Sequence, residues 1–192
     1  EVLPQLTTSD IMELSNCDIV AKAEQLPMEK EELSGIFMMD VLHHIPNNVA
    51  FLSEAQRTLK PGGKIIMIEP ANTFWSRFIY KNFHHEPFEP QSNEWSLPEG
   101  GPLSVANGAL PWIIFKRDWE QTRQKFPMLK KERMEAFMPL AYLVSGGFSY
   151  RCLLPDAFFK SFLKLEGSLL KFLNGSAGMF YKIVITKTSH QN

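Results

Sequence analysis

Two short apolar runs flank a helix that ends on an explicit stop signal, and this unit constrains the fold more than any other stretch of the chain. Ile36-Phe37-Met38-Met39 is continuously apolar, the pattern expected of a strand buried on both faces. After Pro46, Asn47 or Asn48 is suited to cap a helix, because an Asn side chain accepts from the free N–H groups of a first turn. Val49, Leu52, Ala55 with Gln56, and Leu59 then follow helical spacing; Lys60 stands in the last turn and Pro61-Gly62-Gly63 stops it. Lys64 to Glu69 reads as a second buried strand, halted by Pro70. Strand, helix and strand in this order form a βαβ crossover, the building unit of parallel α/β sheets.

The flanking regions extend the pattern. Leu6 to Asp10 and Asp18 to Ala21 are weaker strand candidates, Phe158 to Phe172 reads as an apolar-rich helix carrying Lys160, Lys164 and Lys171, and Met179 to Thr186 reads as a final strand. Open α/β sheets bind ligands at the carboxyl ends of their strands. That rule puts Asp10, Lys22-Ala23, Asp40 to His44 and Glu69-Pro70 on one rim. Between the regular parts, residues 74–126 concentrate eleven aromatics, including all four tryptophans, together with most of the Pro-Gly punctuation. A formal net charge of −1 over 192 residues argues against a whole-surface electrostatic grip on nucleic acid or anionic membrane. Cys17 and Cys152 alone make neither a disulfide framework nor a zinc site. With no apolar run approaching a membrane span and no signal sequence opening the chain, a reduced, cytoplasmic compartment is the expectation.

Four linked segments sit on these elements: Ala23-Glu24-Gln25-Leu26-Pro27, Asp40-Val41-Leu42-His43-His44-Ile45, Glu54 to Gly63, and Ile68-Glu69-Pro70. In this order and at these spacings the chain resembles the class I S-adenosylmethionine-dependent methyltransferases (methyltransferase type 11-like) over residues 7–70, and Met179 to Lys187 resembles that family's last antiparallel strand. The resemblance implies a Rossmann-like α/β fold, a mostly parallel sheet with an antiparallel last strand, and an aromatic-rich insertion. It also implies S-adenosyl-L-methionine as cofactor. The family's glycine-rich loop has no counterpart, since Gly62-Gly63, Gly100-Gly101 and Gly146-Gly147 stand in other contexts. Glu1 to Gln5 resemble the tail of the helix that follows that loop. The expectation is therefore that a first strand and helix, roughly 40–60 residues, are missing upstream, and that residues 1–192 alone bind cofactor poorly.

The resemblance assigns roles residue by residue. Asp10 would accept from both ribose hydroxyls, which suits a carboxylate; its structural alternative is a turn cap. Ala23 and Glu24 would lie against adenine, with Leu26 packing beside it. Lys22 stands where the family has an adenine-amino acceptor, and an ammonium accepts nothing. Met39 and Asp40 would turn backbone carbonyls towards the cofactor's amino group, and Ser34 replaces the usual Asp opening that strand. His43, His44 and Glu69 are the candidates for a catalytic base. Adjacent helical residues diverge by about 100°, so one histidine is expected to face the cleft and the other to pack, and no metal is expected. His84-His85-Glu86 reads as a solvated loop before it reads as a ligand set.

Three stretches follow: an incomplete cofactor-binding half over 1–70, an acceptor-binding insertion over 71–150, and a C-terminal helix and strand over 151–192 completing the same domain. The expected activity is in-line methyl transfer to a small-molecule or lipid-like acceptor, without nucleic acid. A membrane-surface role for the 158–172 helix is the weaker alternative to a core-facing one. The rival function is a methyltransferase-like binding or scaffold protein that has lost catalysis, which Lys22, Ser34 and the absent loop favour.

Overall fold

The computed structural model describes residues 6–101, 104–147, 151–172 and 176–189, so the helix-tail expectation for residues 1–5 lies outside the described residues. Two sheets form. In the first, β1 (Ser9–Asp10) and β2 (Ile19–Val20) pair in parallel, matching the two weaker strand candidates. The second has four strands: β3 (Leu33–Met39), β4 (Leu59–Pro70), β5 (Leu129–Phe137) and β6 (Phe180–Lys187), in the spatial order β3-β4-β6-β5. β3 and β4 are parallel, and β6 runs antiparallel to both β4 and β5. Three strands therefore share one direction and β6 alone opposes them, the mostly parallel sheet with an antiparallel last strand that the sequence implies.

Between β3 and β4 the chain forms a short 3-10 turn (Leu42–His44) and helix α1 (Asn48–Thr58). The cap is Asn47, whose side-chain oxygen accepts from the Ala50 N–H at 2.9 Å. Asn47→Ala is expected to lower stability by about 1 kcal/mol, read as a shift in the urea midpoint at constant slope. The buried face of α1 is Phe51, Leu52, Ala55 and Thr58, with Val49 only partly covered, so the helix is rotated from the stripe that Val49 and Leu52 suggest. Pro61-Gly62-Gly63 is no free turn either. β4 already starts at Leu59, and its pairing jumps from Leu33↔Leu59 to Gly35↔Lys64, which makes the Pro-Gly-Gly segment a bulge inside the strand. Gly62 takes φ 81° there, a region open to glycine at no steric cost.

One core unites the layers. Ile65 and Met67 of β4 and Ile183 and Ile185 of β6 alternate towards α1, and a helical segment from α3 (Leu110–Trp112) through a π turn (Ile113–Arg117) adds Leu110, Ile113, Ile114 and Phe115. Next in the chain come α4 (Trp119–Lys125) and then β5. A second cluster forms around Ile79 and Tyr80 of α2 (Phe74–Phe83) with Met179 and Phe180. The expectation of burial on both faces fails for β3: Phe37 is 54% and Met39 65% exposed. β3 is one of the two edge strands of the sheet, and among the described residues nothing covers the side on which Phe37 and Met39 lie.

Two further helices follow β5: α5 (Ala141–Val144) and α6 (Asp156–Phe172). α6 docks most deeply through Glu166 and Leu170, with Phe159, Phe162 and Leu163 half-buried. The buried carboxylate of Glu166 accepts from the Leu140 and Ala141 N–H groups and so caps α5, while Leu170 is buried beside it. Phe158, Leu165, Leu169 and Phe172 remain exposed, so the core-facing reading of this helix holds for only part of its apolar surface. Among the described residues, no helix is long and apolar enough to cross a membrane.

Candidate functional site

The site begins with a backbone conformation. Asp40, immediately after β3, has φ 53°, the left-handed region that short polar residues tolerate better than others. Its N–H still donates to the Ile68 carbonyl at 2.9 Å, and the chain then swings across the end of β4 into the 3-10 turn. Glu69, fully buried on β4, fixes that turn. Its Oε1 accepts from the N–H groups of Val41 at 3.0 Å and Leu42 at 2.8 Å, and its Oε2 meets His43 Nδ1 at 2.8 Å. One carboxylate thus satisfies two otherwise orphaned donors and sets the plane of a ring.

The aromatic-rich segment closes over this turn. The Asn107 N–H donates to the His43 carbonyl at 3.0 Å, and the Asn107 side chain bridges Glu89 and Ala109. Gly108 in turn donates to the Pro87 carbonyl at 3.0 Å. These ties carry Glu86 to the two histidines. His43 Nε2 lies 3.4 Å from Glu86 Oε2, and His44 Nε2 lies 3.6 Å from Glu86 Oε1. The other nitrogen of His44 faces the Val105 carbonyl at 3.3 Å. Tyr80, Phe88, Tyr142 and Phe180 wall the resulting cleft. Tyr80 stacks on Phe88 at 5.1 Å, its hydroxyl donating to the Met179 carbonyl, and Tyr142 meets Phe180 edge-on at 4.8 Å.

The charges in this cleft are strongly coupled. Burial by itself would push His43 down, but its hydrogen bond to Glu69, the Glu86 carboxylate 3.4 Å away and their negative charge outweigh it, raising the ring's pKa to about 9. Glu86 falls to about 2, held mainly by its close contact with His43 against the cost of burial. His44 goes the other way, lowered first by burial and then by the neighbouring charge of His43. Asp40 rises to about 6: its carboxyl is desolvated although the residue as a whole stays accessible, and Glu69 adds repulsion. At neutral pH His43 is therefore an imidazolium between two carboxylates, and His44 is a neutral ring.

Of the residues singled out in the sequence, Asp40, His43, His44 and Glu69 come together here. Both histidine rings face Glu86, with centroids 4.2 Å apart, so the expectation that one faces the cleft and the other packs does not hold. The backbone does not bring the rings together, since neighbours on a 3-10 turn diverge by about 120°; they meet because each side chain swings its Nε2 towards a different oxygen of the Glu86 carboxylate. Glu86 is the functional candidate that the sequence reading passed over as part of a solvated loop. His85 is solvated as expected, with a side chain 88% exposed, but the Glu86 carboxylate turns inward. Its signal was the run His84-His85-Glu86-Pro87 within an aromatic stretch.

The remaining candidates stand apart from this cleft. Asp10 ends β1 and its carboxylate accepts from the Met12 N–H at 2.8 Å, a local turn contact. Lys22 is exposed and its backbone bridges to Gln25; Ala23, Glu24 and Leu26 are half-buried along the same turn. That turn is fastened to α1. The Leu26 N–H donates to Glu54 at 2.9 Å, and Arg57 donates to the Met28 carbonyl at 2.8 Å. Met39 ends β3 with its side chain outward.

Residues 6–67 match a family model described as a methyltransferase domain. No curated protein matches the chain. Solved structures similar to it include an S-adenosylmethionine-dependent methyltransferase from Methanosarcina mazei (12% identity, 90% of this chain and 67% of that one, TM-score 0.46). Another is the geranyl diphosphate C-methyltransferase of Streptomyces coelicolor (14% identity, 88% and 54% covered, TM-score 0.43). A third is phosphoethanolamine N-methyltransferase 2 of Haemonchus contortus (12% identity, 90% and 36% covered, TM-score 0.41). From β1 through most of β4, over residues 6–67, the chain is thus similar to the methyltransferase domain family.

Proposed function

We propose that this chain performs S-adenosylmethionine-dependent methyl transfer to a small-molecule or lipid-like acceptor held in the cleft beside His43. The observation that carries this reading is the position of the cleft: it opens at the carboxyl ends of β3 and β4, within and next to the segment that matches the methyltransferase domain. When bound, the cofactor supplies a methyl group activated on a sulfonium, so the chain has only to align an acceptor and exclude water.

The residues present fit that cofactor in part. The Asp10 carboxylate uses one oxygen on Met12 and suits a vicinal diol with the other, and the turn over residues 22–26 is held rigid by Lys22–Gln25 pairing and by Glu54. Lys22 offers no acceptor for an adenine amino group, which leaves recognition there to backbone carbonyls. On the acceptor side, Tyr80, Phe88, Tyr142 and Phe180 supply an apolar wall, and His43 and His44 supply ring nitrogens. Of the three base candidates, the neutral His44 is the one able to take a proton. Glu69 is a positioning residue, its carboxylate committed to Val41, Leu42 and His43.

Calorimetric titration of the full-length protein with S-adenosylhomocysteine tests the proposal. Saturable binding, weakened about tenfold or more by Asp10→Ala, is the expected result. Absence of binding overturns it in favour of the scaffold reading that Lys22 and Ser34 suggest.

A further inference from the structure

The contacts of Glu86 with the two rings have an unusual length. Charge-assisted N–H···O bonds run at about 2.7–2.9 Å, whereas His43 Nε2 and His44 Nε2 stand 3.4 and 3.6 Å from the Glu86 oxygens. Ligand atoms bonded tetrahedrally to one ion at about 2.0–2.1 Å stand about 3.4 Å from one another. The three donor groups, His43, His44 and Glu86, offer atoms that all lie within 4.8 Å of each other.

From this geometry we propose that His43, His44 and Glu86 bind a divalent transition-metal ion. The supporting contacts around the ligands agree with it. His43 Nδ1 is engaged by Glu69 at 2.8 Å, and His44 Nδ1 faces the Val105 carbonyl at 3.3 Å. Both partners only accept, so each ring keeps a hydrogen on Nδ1 and presents Nε2 to Glu86, where an ion would bind as the His43 imidazolium gives up its Nε2 proton. Metal-bound histidines are oriented by oxygen acceptors in this way. His43 is almost fully buried and Glu69 entirely so, which makes the orientation rigid rather than a surface accident.

The other conceivable donor set, Asp40, His43 and Glu69, is weaker because the oxygens of Glu69 already serve three donors. Two imidazoles and one carboxylate suit zinc, iron(II) or manganese better than magnesium or calcium, which take all-oxygen shells. Three protein ligands leave a coordination position open. A water or an acceptor oxygen in the cleft walled by Tyr80, Phe88, Tyr142 and Phe180 would complete the shell. The inference deepens the acceptor-cleft reading and is independent of cofactor binding. With the ion bound, the lone pair of His44 is a ligand and no longer a proton acceptor.

The test is titration of chelator-stripped, full-length protein with Co²⁺ followed by visible absorption, and with Zn²⁺ followed by calorimetry. One equivalent of each is expected to bind in the micromolar range or tighter, Zn²⁺ displacing Co²⁺ and abolishing its spectrum. His44→Gln and Glu86→Gln should each weaken binding about 100-fold or more with an unchanged circular dichroism spectrum, and Glu69→Gln by about 10–100-fold. His85→Gln, altering an exposed ring, should leave binding unchanged. Absence of Co²⁺ binding by wild type at about 100 μM, or equal affinity in the His44 and Glu86 variants, overturns the site. Titration with S-adenosylhomocysteine in chelator separates this failure from failure of the methyl-transfer reading.

Discussion

Glu69→Ala is expected to lower the unfolding free energy by about 3–5 kcal/mol, the usual cost of removing one partner from a buried charged pair. The substitution strands three groups at once. The N–H groups of Val41 and Leu42 lose their acceptor, and the buried ring of His43 loses the carboxylate that holds its charge. For a chain of this size the loss corresponds to a fall in Tm of roughly 10 °C. Glu69→Gln separates the contributions, because its amide oxygen still accepts from the two backbone donors while the negative charge is gone. It should therefore fall between wild type and Glu69→Ala in urea denaturation. Equal stability of Glu69→Ala and wild type would show that the 3-10 turn is held by something other than this carboxylate.

Stability of the metal-free protein should decline on the alkaline side of neutrality. His43 has an ordinary pKa of 6.5 and a folded-state value raised to about 9. Below about pH 6.5 the ring is charged in both states, and its attraction to Glu69 and Glu86 contributes in full. As pH rises through 6.5 the unfolded chain releases its proton first. The advantage shrinks until the folded ring deprotonates near 9, a total change of about 3 kcal/mol at roughly 1.4 kcal/mol per pH unit. Glu86 works in the opposite direction: with its pKa depressed from 4.5 to about 2, its contribution is present above 4.5 and disappears as pH falls through 2. Urea midpoints measured in chelator from pH 6 to 9.5 should show this alkaline slope in wild type and a flatter one in His43→Gln. A slope that survives the substitution would assign the titration to another group.

The legible parts of the fold were those governed by short-range chemistry. An Asn followed by helical spacing located α1, and two apolar runs separated by that helix gave β3 and β4 together with their parallel pairing. What escaped depended on neighbours remote in the chain. Phe37 and Met39 look like core residues, yet they are exposed because β3 has no covering layer on that side, a property of the sheet and not of the run. β5, Lys-rich and only partly buried, has no apolar signature and is recognisable only through its pairing with β6. In the site, the Asp40-to-His44 segment and Glu69 could be placed on one rim from strand order alone. Glu86 could not, since it lies 17 positions after Glu69, beyond α2, and its inward turn depends on Asn107 and Gly108 closing over the 3-10 turn.

The place of β6 in the sheet has a consequence for how the protein is made. It is the last strand in chain order among the described residues, yet it occupies the middle of the sheet, bonded on one side to β4 and on the other to β5. At its end the buried ammonium of Lys187 reaches the Leu59 carbonyl at 2.7 Å and Glu31 at 3.1 Å, closing a loop across most of the sequence. A chain emerging from the ribosome can pair β3 with β4 early, but β4 and β5 have no shared edge until residues 180–187 arrive to fill the space between them. Such non-local closure slows folding and leaves strand edges open in the meantime. Synthesis of this protein thus passes through an interval with the β3–β4 pair and an unpaired β5 both waiting for β6, when chaperone occupancy matters most.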